Sequence, residues 1–308
     1  MRSSEGDRFK GPGKWCGYVC ARGLASLIQA LPLSVALRLG RAVGWLAWKL
    51  MPRRRAVVCK NMQVVSAWMA ERGKVESSKA ESLDAQVREV FQRSGANLLA
   101  GFPLSRLRPQ RLARHLQIEG LEHVREALAQ GKGLIMLLAH MGPWEVLPHL
   151  PQLLADHGVH AVIGGMYRPL NNTYLDNWVR AQREARGTRL FSRRDGLHAP
   201  VDFLRAGGML GILADQKMRE GSQVPFFGVE VGTTPIPGLF HRRSGAPLLA
   251  LSVETVGFAK WRLRFDPVDL SRLSERPSRE DLSRLCNQAL ERSLSRSLCD
   301  GFWLSRRF

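Results

Sequence analysis

The sequence has few cysteines and few acidic residues for its length of 308 residues. Its five cysteines, Cys16, Cys20, Cys59, Cys286 and Cys299, have neither the spacing of a disulfide framework nor that of a metal site. We therefore expect a reducing, cytosolic environment. The 27 acidic residues face 46 lysines and arginines, which gives a formal net charge of +19. Such a chain favours anionic lipid, nucleic acid or an acidic protein as a partner.

The sequence also lacks the motifs of several common site classes. No P-loop or GxGxxG precedes a helix, which argues against nucleotide binding, and no GxSxG elbow supports a serine hydrolase. Glu145 and His149 are four residues apart, but there is no HExxH motif, and His157 and His160 lie further along the chain. We expect neither a metal site nor a cofactor.

No apolar run near the N-terminus is long enough for a standard membrane span. The longest charge-free stretch there, residues 23–37, has fifteen residues and contains Pro32, whereas a spanning helix needs ~20. No small-residue cleavage site follows a clean apolar region, so a secretory signal is not expected. A single span and an interfacial attachment of this segment both remain open.

The N-terminal region instead reads as a polar arm, residues 1–14, followed by a basic amphipathic helix. Its basic sector holds Arg38, Arg41 and Lys49, and its apolar positions are Leu39, Val43, Leu46 and Leu50. Trp45 and Trp48 suit the headgroup level, and Arg53, Arg54 and Arg55 suit anionic lipid. The alternative is a helix that packs on the core of its own domain. We expect a membrane-associating region at residues 1–52 and a catalytic domain at residues 53–308.

From residue 116 onward, predicted strands alternate with predicted helices. The strands are expected at residues 116–119, 134–139, 160–166, 210–214, 247–254 and 262–266. This alternation predicts an α/β fold, with a central, largely parallel or mixed sheet flanked by helices and an N-terminal helical extension. Ligands of such sheets collect beyond the carboxyl ends of the strands. His140, Arg168 and Asp215 each follow a predicted strand, so we expect them to share one site.

The segment from His140 to Glu145, HMGPWE, offers a catalytic pair. The histidine ends a strand, and Gly142-Pro143 turns the chain before Glu145. The pattern suggests that Glu145 folds back to accept a hydrogen bond from one imidazole nitrogen, which leaves the other nitrogen as a general base. The alternative is an ordinary polar pair without a catalytic role.

Five ordered motifs together resemble a known family. They are HMGPWE, YRP from Tyr167 to Pro169, ADQ from Ala214 to Gln216, VPFFG from Val224 to Gly228, and GAP from Gly245 to Pro247. The set resembles the lipid A biosynthesis acyltransferases of the lauroyl/myristoyl transferase type, within the glycerolipid acyltransferase group marked by His-x4-Asp/Glu. At the C-terminus, FWLSRRF places Ser305 where that family usually has a histidine, which leaves the identity of the acceptor open.

The resemblance implies an O-acyltransferase at the cytoplasmic face of the inner membrane. It would move a fatty acyl group from an acyl carrier protein thioester to a hydroxyl of a lipid A precursor or a related glycolipid, with His140 and Glu145 as the catalytic dyad. Arg168 would bind a phosphate or stabilise the oxyanion. Asp215 would orient Arg168 through a salt bridge or cap the following loop, as would Gln216. Trp144, Phe226 and Phe227 are candidate walls of an acyl pocket, although aromatic pairs more often belong to a core.

Two other functions stay open at this point. One is an acyl-CoA-dependent transferase for another glycolipid such as a phosphatidylinositol mannoside, and the other is a non-enzymatic basic protein that coats a membrane surface. Nucleic-acid binding is not expected, because it would call for aromatic and basic platforms within the fold rather than an apolar N-terminal helix. Acyl chain length, acceptor position and oligomeric state are not determined by the sequence.

Overall fold

The computed structural model describes residues 9–73, 82–192, 196–271, 273–274 and 276–308. Residues 1–8 of the expected N-terminal arm lie outside the described part of the chain, and the first helix begins at Pro12. Four helices come first: α1 (Pro12–Gln29), α2 (Leu33–Leu50), α3 (Pro52–Glu71) and α4 (Leu83–Leu104). Proline stands in the first turn of α1 and α3, where its missing N–H has no partner to lose.

Helix α2 crosses α4 at very short range through glycines. A Cβ added at Gly40 would collide with the backbone of Gly95, and one added at Gly44 would collide with the backbone of Phe91. Only glycine lets two backbones approach this closely. The opposite side of α2 faces solvent, where Leu39, Val43, Leu46 and Leu50 are exposed.

A seven-stranded sheet forms the centre of the molecule. Its strands are β1 (Leu116–Glu119), β2 (Leu134–Leu138), β3 (Ile163–Tyr167), β4 (Thr188–Ser192), β5 (Met209–Leu213), β8 (Leu248–Gly257) and β9 (Lys260–Pro267). They lie in the order β1-β9-β8-β2-β5-β3-β4. The β8–β9 hairpin is antiparallel and the other pairings are parallel. A separate antiparallel hairpin joins β6 (Ser222–Phe226) to β7 (Val229–Thr233).

The remaining helices cover both faces of the sheet. They are α5 (Pro109–Ala113), α6 (Leu121–Ala129), α7 (Leu150–Ala155), α8 (Thr173–Glu184), α9 (His198–Arg205), α10 (Ile236–Ser244) and α11 (Arg279–Arg296). Strand β2 is buried throughout, because Ile135 and Leu137 pack into one apolar core while Leu134 and Met136 pack into another. A central strand buried on both faces is typical of a parallel sheet with helices on each side.

The predicted fold class is confirmed, and three strands were missed. Strand β4 carries a charged residue, Arg189, and lies at the edge of the sheet, so its apolar pattern is weak. Strands β6 and β7 form a separate hairpin outside the main sheet, and β6 contains Pro225. Short edge strands and hairpins of this kind have little periodicity to detect.

The N-terminal helices present apolar side chains to solvent. On α1, Trp15, Val19, Leu24 and Leu27 are exposed, and Phe258 is exposed at the tip of the β8–β9 hairpin. The guanidinium of Arg38 on α2 lies over the Phe258 ring at 5.7 Å. In the described part of the chain, no helix combines the length and hydropathy that crossing a bilayer requires.

Candidate active site

The end of β2 positions His140. The strand stops at Leu138, and Gly142 then adopts a left-handed conformation with φ of 58°. A Cβ at this glycine would collide with the carbonyl oxygen of Val253 in β8, so the turn requires glycine. The turn therefore fixes the histidine beyond the carboxyl end of a central strand.

The C-terminal segment holds this turn from the other side. The Phe302 amide donates to the His140 carbonyl oxygen at 2.8 Å, and the Gly142 amide donates to the Asp300 carbonyl oxygen at 3.1 Å. Met141 and Gly301 form an isolated antiparallel bridge between these two bonds. Residues 300–302 thus fix the backbone on both sides of Met141, directly after the histidine.

Asp215 holds the imidazole of His140. One carboxylate oxygen lies 2.7 Å from Nδ1, and the other accepts a hydrogen bond from the His140 backbone amide at 3.0 Å. The sheet brings these two residues together. Leu138 of β2 pairs with Leu213 of β5, and His140 and Asp215 each follow two residues after their paired leucine. With Nδ1 occupied by a carboxylate, Nε2 is the ring nitrogen left for chemistry.

The expectation that Glu145 bonds to His140 is therefore wrong. Glu145 is the second residue of a 3₁₀ helix, Trp144–His149, and its carboxylate accepts hydrogen bonds from Arg183 of α8 at 2.6 and 3.3 Å. The turn at Gly142-Pro143 does not fold the side chain back, because Asp215 already occupies Nδ1. Glu145 stays in the site as one half of an ion pair beside the histidine.

The expected salt bridge between Asp215 and Arg168 is also absent from the described part of the chain. Both Asp215 oxygens bind His140, and the buried Arg307 interacts electrostatically with the Asp215 carboxylate. Burial lowers the pKa of Arg307 to about 10, although the Asp215 carboxylate opposes this shift. Its guanidinium donates to the Gly232 carbonyl oxygen at 3.2 Å and lies 4.4 Å from the Phe226 ring centre. A fixed positive charge thus stands behind the Asp215 carboxylate.

A cavity of about 870 Å³ opens in front of His140. Trp144, Glu145, Arg168 and Gln216 line it together with the histidine, whereas Asp215 lies behind it. The Trp144 ring meets the imidazole edge-on at a centroid distance of 5.5 Å. The structure brings five of the eight predicted site residues to the wall of one cavity.

Phe226 and Phe227 do not line this cavity. Both are at most 1% exposed, and they pack against each other with ring centres 4.7 Å apart. Phe227 also meets Trp68 at 5.0 Å, deep in the core behind the sheet. Their place at the β6–β7 turn explains this, since Phe227 and Gly228 take the two positive φ angles of a tight hairpin.

Sequence reasoning missed two arginines of the site. Arg183 lies 38 residues from Glu145 on another helix, and nothing in the local pattern connects the two. Arg307 belongs to the C-terminal FWLSRRF segment, so that motif was an available signal. Ser305, which departs from the usual histidine there, uses its backbone carbonyl to accept a hydrogen bond from Asn61 at 2.9 Å. In the described residues no cluster of His, Cys, Asp and Glu has the makings of a metal site.

Comparison with known proteins extends over nearly the whole chain. The family model for bacterial lipid A biosynthesis acyltransferases matches residues 6–308. A lipid A biosynthesis palmitoleoyltransferase of Escherichia coli is 26% identical over 97% of this chain and 93% of its own length. The lauroyltransferase of the same organism is 26% identical over 96% of this chain and 90% of its own.

A more distant relative covers half of the chain. A phosphatidylinositol mannoside acyltransferase of Mycobacterium tuberculosis is 28% identical over 48% of each protein. The site is consistent with the family match over residues 6–308, since a histidine bound to a carboxylate faces a large cavity at the end of a strand. The chain is an acyltransferase and belongs to the bacterial lipid A biosynthesis acyltransferase family.

Proposed function

We propose that this protein transfers a fatty acyl group from an acyl carrier protein thioester to a hydroxyl of a lipid A precursor, at the cytoplasmic face of the inner membrane. One observation carries the chemistry. A histidine whose Nδ1 lies 2.7 Å from a carboxylate faces a large cavity at the end of a central strand. This arrangement suits removal of a proton from a bound hydroxyl.

In the proposed reaction, His140 acts as the general base through Nε2. It takes the proton of the acceptor hydroxyl while the hydroxyl oxygen attacks the thioester carbonyl. The tetrahedral intermediate then collapses, the carbon–sulfur bond breaks, and the imidazolium returns the proton to the leaving thiolate. Asp215 fixes the tautomer and stabilises the imidazolium, so it takes the role that sequence reasoning gave to Glu145.

Glu145 acts in this proposal together with Arg183. The Arg183–Glu145 pair lies at the cavity wall, with the carboxylate side chain 38% exposed and the guanidinium side chain 28% exposed. Both therefore remain accessible to a ligand. We assign the pair to placement of the acceptor hydroxyl beside Nε2, since a carboxylate accepts from hydroxyls and an arginine binds anionic groups.

The rim of the cavity favours a phosphorylated acceptor. Among the described residues, the arginine and lysine side chains that line the cavity are Arg168, Arg180, Arg183 and Lys217, and the carboxylates are Glu145 and Asp176. Arg168 is exposed, follows the carboxyl end of β3, and lines the same cavity as His140. We assign it to a phosphate of the acceptor or to the oxyanion, with Gln216 as a further hydrogen-bonding group.

The exposed apolar side chains of α1 and α2 support attachment to a bilayer. Leu39, Val43, Leu46 and Leu50 follow helical spacing on one face of α2, and Lys49 lies 4.3 Å from the Trp45 ring centre. Gln29, near the end of α1, lines the cavity that His140 faces. An acceptor held in the membrane would therefore have a short path to the base. The net charge of +19 fits an anionic lipid surface.

The proposal is tested by comparing total lipid from cells with and without this protein by mass spectrometry, alongside purified protein and its His140→Ala variant. We expect the lipid A fraction to lose one acyl group when the protein is absent. We expect His140→Ala to lose about 10²–10⁴-fold in transfer, the usual effect of a general base. A loss confined to phosphatidylinositol mannosides would support the acyl-CoA alternative, and transfer within about threefold of the parent would exclude His140 as the base.

A further inference from the structure

We propose that Gly165 and Gly211, neighbours in the floor of the cavity, set the longest acyl chain that this enzyme accepts. The inference rests on the proposed function, since it places the acyl group of the donor in this cavity. It adds the residues that measure the length of the chain.

One face of the central sheet forms the floor of the cavity. Met136 of β2 pairs with Gly211 of β5, and Gly211 pairs with Gly165 of β3, so these residues make one row across three strands. Paired residues of a sheet present their side chains to the same face, and the next residues on that face lie two positions away. Leu138 and Ile163 occupy those positions and also line the cavity.

Gly165 differs sharply from Gly164, its neighbour on the other face. Gly211 is intermediate, since a Cβ there would meet the end of the Leu138 side chain, which itself lines the cavity, at 3.2 Å. A Cβ added at Gly164 would approach the rings of Phe191 and Phe203 at 2.9 Å, so that residue is packed against the core. A Cβ added at Gly165 would meet only the Leu190 side chain within 4 Å, at an ordinary distance of 3.7 Å. A larger side chain at Gly165 therefore projects into the cavity rather than into protein.

The inner part of the cavity is apolar and therefore suits a hydrocarbon chain rather than a sugar. Met136, Ile163 and Leu190 are apolar, and the Thr188 hydroxyl already donates to the Pro148 carbonyl oxygen at 3.2 Å. The charged side chains Arg168 and Lys217 belong to the same cavity but follow the strands at their carboxyl ends. The polar headgroup of the acceptor thus fits the rim, and the acyl chain fits the floor.

The position of the row formed by Met136, Gly211 and Gly165 indicates which carbon of the acyl chain lies beside it. Met136 precedes His140 by four residues, which corresponds to about 13 Å along a strand. An extended acyl chain advances about 1.3 Å per carbon, given a C–C bond of ~1.5 Å. The row therefore lies beside roughly the tenth carbon of a chain whose carbonyl group is at His140.

The test measures initial transfer rates with octanoyl, lauroyl, myristoyl and palmitoyl donors for the parent, Gly165→Ala and Gly165→Leu. Each methylene denied burial should weaken binding about fourfold, which corresponds to ~0.8 kcal/mol. We expect Gly165→Leu to retain octanoyl transfer within about threefold and to lose at least about tenfold with palmitoyl. Gly165→Ala should show the same trend with a smaller change, and Leu190→Ala should shift the preference towards longer chains.

Gly164→Ala is the matched control, because it adds the same carbon one residue away on the packed face. It should lower the melting temperature and leave the ratio of palmitoyl to octanoyl rates unchanged. Equal loss with all four donors in Gly165→Leu and Gly165→Ala, together with an unchanged ratio in Leu190→Ala, would overturn the length assignment. Failure of the parent to transfer any of these chains would instead refute the proposed function.

Discussion

The Asp215 carboxylate is hydrogen-bonded to His140 twice, to the imidazole Nδ1 at 2.7 Å and to the backbone amide at 3.0 Å. Two contacts from one carboxylate fix both the position of the histidine and the orientation of its ring. A group held in this way loses little freedom when a substrate binds, which is the condition for efficient proton transfer.

The first prediction concerns this contact. Asp215→Asn keeps the size of the side chain but removes its negative charge, so the imidazolium is no longer stabilised. We expect kcat to fall by about 10²–10⁴-fold with little change in acceptor KM. Steady-state kinetics and circular dichroism measure the two effects. A normal kcat in the folded variant would remove Asp215 from the catalytic machinery.

The second prediction concerns the pair Glu145 and Arg183. Because they bind each other, Glu145→Gln and Arg183→Met should each lower kcat/KM for the acceptor, and the double variant should be little worse than the more damaged single variant. Arg284→Met is a suitable control, since Arg284 lies on α11, outside the cavity lining, and pairs with Asp281 instead. Fully additive losses would show that Glu145 and Arg183 act independently.

The third prediction tests the apolar face of α2. Leu46 and Leu50 are 48% and 69% exposed, so a charge at either position should not disturb the core. Leu46→Glu and Leu50→Glu should each weaken binding to anionic liposomes at least about tenfold, the value of one leucine buried in the bilayer. Val162→Glu is the control, because Val162 is 62% exposed just before β3, at the opposite end of the sheet. Equal binding of the α2 variants and the control in liposome flotation would show that the membrane-binding surface lies outside α2.

The fourth prediction identifies the donor. Acyl carrier protein is a small acidic protein, and long-range attraction to a chain of net charge +19 should accelerate its encounter. Raising the salt concentration from about 0.05 to 0.5 M shortens the Debye length from roughly 14 to 4 Å. Transfer from the carrier protein should then fall much more than transfer from the matching acyl-CoA. Parallel salt dependence of the two initial rates would favour acyl-CoA as the donor.

The fifth prediction concerns stability at acidic pH. Burial, and to a lesser extent the charge of Arg186, lower the pKa of His149 from 6.5 to about 4. The unfolded chain then binds more protons than the folded chain between these values. The free energy of unfolding should therefore fall as the pH drops from 6.5 to about 4, by about 3 kcal/mol, with no further loss from this group below that range.

His149→Gln removes the titrating group while keeping a polar side chain beside Arg186. Urea unfolding of the parent and the variant at several pH values between about 7 and 4 measures the difference. The variant should be less stable at neutral pH but should lose less stability on acidification. Identical pH dependence of the two proteins would show that His149 is protonated alike in both states.

Local pattern was enough to predict the strand end at His140 and its place among the strand ends of an α/β sheet. It was not enough to choose the partner of the histidine, because Glu145 is close in sequence while Asp215 arrives through the pairing of β2 with β5. Strand order is a property of the whole chain. Phe226 and Phe227 show the same limit, since a pair of aromatic residues has the same pattern in a pocket wall as in a core.

The glycine crossing of α2 and α4 has a mechanical consequence. Because Gly40 and Gly44 bring the two backbones into contact, we expect α2 and α4 to move together. The C-terminal part of α4 reaches the candidate active site, where a Cβ at Gly101 would lie 3.3 Å from the Glu145 side chain. We therefore expect a chain cut before Pro52 to expose the surface of α4 that α2 covers, and we expect a tilt of α2 at a membrane to displace Glu145.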